Sequence, residues 1–157
     1  MNAEIQYLKE MYESAYEGDP WFGRCIKEIL GEIDANMASK KPNDQHSILE
    51  LLYHMIIWRE FTISRLEKGA IKSAEYFGEN DWQKLDHTNK KLWEQGLRQL
   101  DETQKRIIQI ITNVNPDLLT DQVSERKYDV RYLLYGILEH DIYHLGQIAY
   151  VKKLLEI

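Results

Sequence analysis

The chain reads as all-α, an antiparallel four-helix bundle with a long crossover loop, and three observations predict it. Only three prolines and eight glycines punctuate its 157 residues. Apolar residues recur at helical rather than alternating spacing. Four long amphipathic stretches are separated by one long link and several short ones, and antiparallel packing is the default for that order. The length suits a single domain over residues 1–157, able to bury roughly two thirds of its unfolded surface without disulfides. No internal repeat or low-complexity tract interrupts it.

From about Ala3 to Tyr16 the apolar face carries Ile5, Leu8, Met11, Tyr12 and Ala15, and Gly18-Asp19-Pro20 breaks it. Asp19 then reads as an N-cap with Pro20 at the first helical position. A stretch from Trp21 to about Met37 follows, with Phe22, Ile26, Ile29, Leu30 and Ile33 on one face, so that the two pieces could form one kinked helix. Lys40 to Gln45 is a polar connection around Pro42. Ser47-Ile48-Leu49-Glu50 is a capping box, in which Ser47 and Glu50 satisfy each other's orphan amides. That helix runs to about Lys68 and stops at Gly69. Ala70 to His87, aromatic and polar with Gly78 and Asn80, predicts the crossover loop. A third long helix, about Thr88 to Thr112, carries Leu92, Leu100, Ile107, Ile110 and Ile111 and ends before Asn115-Pro116. The last starts near Val130 and continues to Leu155.

Composition removes several functional classes. Twenty Lys and Arg against 26 Asp and Glu give a net charge of −6, and the basic pairs Lys40-Lys41 and Lys90-Lys91 are isolated, so nucleic acid is not an expected partner. Cys25 is the only cysteine, which excludes a disulfide framework and a cysteine zinc finger. The N-terminus is polar and acidic, and no stretch approaches the ~20 apolar residues of a membrane span. The expectation is a soluble, cytoplasmic protein with no membrane partner.

The chemistry concentrates in Gly136-Ile137-Leu138-Glu139-His140-Asp141-Ile142-Tyr143-His144-Leu145-Gly146-Gln147. Four residues climb ~6 Å along a helix and rotate about 40° past a full turn, so the imidazoles of His140 and His144 leave one face together. His54 is the natural third ligand. It sits among Leu49, Leu52, Ile56, Ile57 and Phe61, where an unpartnered imidazole would be costly to bury. Three imidazoles without a thiolate suit zinc or nickel, with iron, cobalt and copper as further options, and disfavour magnesium and calcium. They leave a coordination position for water or substrate, as a catalytic centre needs. The metal could acidify a bound water or hold a thiol as thiolate.

Asp141, Tyr143, Glu139 and Gln147 supply groups to orient the imidazoles. Glu139 and Asp141 flank His140 along the helix and project off its face, which disfavours them as general bases. His46 is read as packing at the helix start, with the rim of a pocket as the alternative. His87 is expected to be solvent exposed. Trp58, Trp21, Trp82 and Trp93 could line a pocket, although aromatic residues at helical spacing are usually core, as expected for Trp93. Cys25 reads as a buried, inert thiol.

Three segments carry a family resemblance: His46-Ser47-Ile48-Leu49-Glu50-Leu51-Leu52-Tyr53-His54-Met55-Ile56-Ile57-Trp58-Arg59-Glu60, the pairs Asp81-Trp82 and Leu92-Trp93, and Leu134 to Ile148 around the histidine pair. In order and spacing, from about residue 5 to residue 155, the chain resembles the DinB-like superfamily of damage-inducible, metal-binding four-helix bundles. The resemblance implies that His54, His140 and His144 bind a divalent metal, commonly nickel or zinc. It also implies homodimers, and a relation to S-transferases and isomerases that use low-molecular-weight thiols such as bacillithiol or mycothiol. The leading expectation is therefore a metal-dependent thiol S-transferase acting on an electrophilic small molecule. A metal-dependent hydrolase and a non-catalytic, metal-binding stress-response protein are the alternatives.

Overall fold

A computed structural model describes residues 2–67 and 72–156. Among them the chain is all-helical, with α1 (Ala3–Glu17), α2 (Ile26–Gly31), α3 (Ala35–Ala38), α4 (Ile48–Leu66), α5 (Ala74–Glu79), α6 (Lys91–Asn113), a 3-10 turn at Pro116–Thr120, and α7 (Val130–Leu155). Side chains start most of these helices. The Asn2 carboxamide accepts from the Glu4 amide at 2.8 Å, and Asp129 from the Tyr132 amide at 2.8 Å. Ser47 and Glu50 form the expected box: the Glu50 amide donates to Ser47 Oγ at 3.1 Å, and the Ser47 amide to Glu50 Oε2 at 2.8 Å.

The stretch from Trp21 to Met37 departs from expectation. It is neither one helix nor a continuation of α1, and Asp19 and Pro20 do not open it. Residues 21–24 form turns and bends in which Gly23 adopts a φ of 124°, a conformation that a side chain would strain. Helix resumes only where Cys25 and Glu28 make a capping box, and again where Asp34 accepts from the Met37 amide. Ile26, Ile29, Leu30 and Ile33 are buried, but Trp21 is fully exposed. The connection expected from Ala70 to His87 contains α5, capped by Ser73. The expected stop at Gly69 lies outside the described residues, as do Lys68 and Ala70.

Two apolar clusters reveal how the helices run. One joins Ile48 to Ile56 of α4 with Trp93 and Leu100 of α6 and Leu145 to Val151 of α7. The other joins Ile57 to Ile63 of α4 with Ile107 and Ile111 of α6, Val130 to Leu138 of α7 and Ile5 to Ala15 of α1. Helix α4 therefore runs against α7 and alongside α6. Their mutual packing, with α1 against α6 and α7, makes a helical bundle.

Because α4 and α6 point the same way, the chain must return along α4 between them. Ala74 and Arg65 share Glu125, Asp81 lies beside His54 and Trp58, and His87 reaches Ser47. That return path brings Asp81 and Trp82 over the middle of α4.

Between the two clusters the core is polar. Arg59 and Asp141, 1% and 0% exposed, pair at 2.8 Å between Arg59 Nε and Asp141 Oδ2. Arg59 Nη1 also donates to Gln104 Oε1 at 3.1 Å, and Gln104 Nε2 donates to the Tyr12 carbonyl at 3.2 Å. The layer thus ties α1, α4, α6 and α7 together.

Candidate metal centre

Every residue from Leu51 to Ile57 is buried, so α4 has no outward face there on which His54 could sit. Its imidazole meets the histidine pair of α7. His54 Nε2 lies 3.0 Å from His140 Nε2, which lies 3.1 Å from His144 Nε2. One ring nitrogen from each residue falls within 4.8 Å of the other two. His54 and His144 are 7% and 6% exposed, and His140 is half-buried.

The outer nitrogens fix the tautomers. His54 Nδ1 lies 2.9 Å from Asp81 Oδ1 and 3.2 Å from the Asp81 carbonyl, and His144 Nδ1 lies 2.6 Å from Gln147 Oε1. All three acceptors require a proton on Nδ1, which leaves the Nε2 lone pairs of His54 and His144 aimed at His140. One proton on His140 Nε2 could satisfy one of them but not both. A cation satisfies all three. Tetrahedral zinc with bonds of about 2.0–2.1 Å would hold nitrogens roughly 3.3 Å apart, close to the separations here. His140 Nδ1 is buried without a partner, so its orientation is set by packing rather than by a hydrogen bond.

Electrostatics favour neutral ligands. Burial is the first cause lowering the pKa of all three imidazoles, and His140, also repelled by the charged forms of its two neighbours, is depressed to about 3. The rings are thus ready to bind a cation near neutral pH without first losing protons.

A family model described as the DinB superfamily matches residues 20–148, most of the chain and all three histidines. The chain belongs to the DinB superfamily. Neither the curated proteins nor the solved structures contain a significant match to it.

Around the imidazoles of this DinB-superfamily chain, Gln147 orients His144 directly. Trp58 acts one step out, its Nε1 donating to Asp81 Oδ1 at 2.6 Å, the same oxygen that faces His54. Tyr143 is 65% exposed, with its ring edge-on to His144 at 5.1 Å. His46 does more than pack at a helix start. It stacks on Trp82 at 3.7 Å, and Trp82 stacks on His54 at 4.0 Å, forming a column of three parallel rings.

Asp141 does not orient an imidazole. It turns into the core to pair with Arg59, because a carboxylate 100° around the helix from His140 meets α4 on its other side. Its Oδ1 has no partner, and burial pushes the carboxyl up to about 6 despite the guanidinium. His87 is not free in solvent either; its Nε2 is 3.1 Å from Ser47 Oγ, and its Nδ1 is 3.0 Å from the Leu85 carbonyl. Cys25 is buried at the start of α2, as expected of an inert thiol. Trp93 is core, its Nε1 donating to the Ile33 carbonyl at 3.0 Å.

Two cavities flank the histidines of the DinB-superfamily fold. One, about 450 Å³, has His144 in its wall together with His46, Trp82, Tyr143, Tyr150 and Leu154. The other, about 150 Å³, borders His140 beside Trp58, Phe61 and Tyr132. A larger cleft of about 600 Å³ beside α5 contains no histidine, and its Arg106 is engaged by Glu60 and Glu67. Among the described residues, the histidine cluster borders the first two of these.

Proposed function

We propose that this chain is a divalent-metal-dependent enzyme that transfers a small thiol to an electrophilic small molecule. The observation that carries the reading is the set of three inward imidazole nitrogens whose wall opens on a 450 Å³ cavity. His54, His140 and His144 would hold the metal, and nitrogen ligands without thiolate suit zinc or nickel. No fourth His, Cys, Asp or Glu among the described residues joins the cluster. Three protein ligands fit an open catalytic centre better than a closed structural one.

When bound, the cation would supply Lewis acidity that lowers the pKa of an incoming thiol. Asp81 and Gln147 keep His54 and His144 in the ligating tautomer, and Trp82 covers the outer face of His54. In the reaction the thiol S–H bond is lost and a C–S bond forms. With an alkyl halide the C–halogen bond breaks and the proton leaves with the halide; with an epoxide a C–O bond breaks and the freed oxygen takes the proton.

Elemental analysis of the purified protein beside His54→Ala and His144→Ala tests the centre, and about one divalent ion in the parent with near none in either variant is expected. Equal content in all three removes the site. The metal-loaded protein is then assayed with biological thiols against epoxide, alkyl halide and quinone electrophiles. A complete absence of rate enhancement, with metal present, would leave the centre non-catalytic.

A further inference from the structure

We infer that the 450 Å³ cavity beside His144 binds the non-reacting body of the electrophilic substrate, and that this body is uncharged, flat and aromatic. The inference rests on the enzymatic reading above and adds the substrate class. Helix α7 builds one wall by periodicity alone. Residues 143, 144, 147, 150, 151 and 154 fall on one helical face, so the stripe that carries His144 continues toward the C-terminus as Tyr150, Val151 and Leu154. The last three lie beyond the segment matched by the family model, which stops at 148. The far wall is Trp82 and the connection after α3, where Asn43 and Asp44 hold left-handed φ values of 44° and 61°.

The lining decides the ligand's charge. Among the described residues it holds no Asp, Glu, Lys or Arg, and its polar groups are the amides of Asn43, Gln45 and Gln147, the imidazoles of His46 and His144, the phenol hydroxyls of Tyr143 and Tyr150 and the indole N–H of Trp82. An anion entering it would lose water without gaining an ammonium or guanidinium partner. A cation could be drawn to the faces of Trp82, Tyr143 and Tyr150, but the lining offers it no carboxylate partner in exchange for its lost water. A neutral ring system meets neither penalty. Tyr143 and Tyr150, each 65% exposed, offer rings that gain by being covered, and the volume lies within the usual range for small-molecule sites, about 300–1,000 Å³.

The test is calorimetric titration of the metal-loaded protein, without thiol, using three naphthalenes: the neutral 2-naphthalenemethanol, the weakly coordinating naphthalene-2-sulfonate, and a naphthylmethyl trimethylammonium cation. The alcohol is expected to bind at least tenfold more tightly than either ion. Tyr150→Ala should weaken it at least fivefold. Leu154→Lys, a change at a 42% exposed position in the last turn of α7, should shift preference toward the sulfonate by at least threefold. No binding of the alcohol, tighter binding of either ion, or a preference indifferent to Leu154→Lys would overturn the assignment. Because no turnover is measured, a catalytically silent protein that still selects the alcohol defeats the transferase reading alone. Turnover without this selectivity defeats the pocket assignment alone.

Discussion

Gln147 and Asp81 show what single residues contribute to the centre. Each accepts from an Nδ1–H and so commits the ligating lone pair on the other side of the ring. Gln147→Ala is expected to lower metal affinity about 10–100-fold in a chelator competition titration, while Gln147→Glu, which keeps the acceptor, should stay near the parent. An unchanged affinity in the alanine variant would mean that packing alone orients His144. Gln147 is legible in the sequence, since three residues along a helix from His144 place it on the same face. Asp81 is not, because it reaches His54 from 27 residues away on a segment whose path depends on the whole bundle. Arg59 and Asp141 are half legible: a charge inside an apolar helix announces a buried partner, but only the packing chooses between an imidazole and a guanidinium.

At the scale of elements, α4 and α6 approach where α6 has no side chain. A Cβ on Gly96 would come within 2.8 Å of Leu52 Cδ2 and 3.0 Å of Tyr53 Cε2. Alanine would gain about 1 kcal/mol of helix propensity over glycine, but overpacking typically costs about 1–3 kcal/mol. Leu52 is fully buried, and Tyr53 is held by its hydroxyl donating to the Leu92 carbonyl at 2.9 Å, so neither can yield cheaply. Gly96→Ala should therefore lower stability by up to about 2 kcal/mol, read as a lower denaturant midpoint at constant slope. A rise in the midpoint would show that the two helices separate more easily than their contacts imply. The long elements were visible in sequence because capping residues and helical periodicity agree: α4 begins right after Ser47, and α7 spans the expected Val130 to Leu155. Between Trp21 and Met37 the same periodicity misled, since its apolar residues are served equally well by two short helices joined through turns.

Across the whole molecule, the buried imidazoles set how stability responds to acid. In the folded, metal-free chain His140 is depressed from 6.5 to about 3, whereas an unfolded histidine protonates near 6.5. Below about 6.5 the unfolded state binds protons that the folded state refuses, so stability falls with pH down to about 3. Asp141 works the other way, because a carboxyl raised to about 6 takes up its proton in the folded state first and favours folding between about 6 and 4. Its window is narrower, and His54 and His144 add to the loss. The melting temperature in chelator should drop from pH 7 to pH 5, and His140→Asn should drop less; parallel curves would place the acid sensitivity elsewhere. The buried Arg59 and Asp141 pair has another effect, on alignment. Sliding α7 by one turn along α4 would leave a guanidinium and a carboxylate each facing hydrocarbon, and an uncompensated buried charge costs about 3–5 kcal/mol. Greasy surfaces tolerate many staggered overlaps, whereas this pair admits one, so the longitudinal offset that seats residue 54 opposite residues 140 and 144 is locked from an adjacent face of the helix.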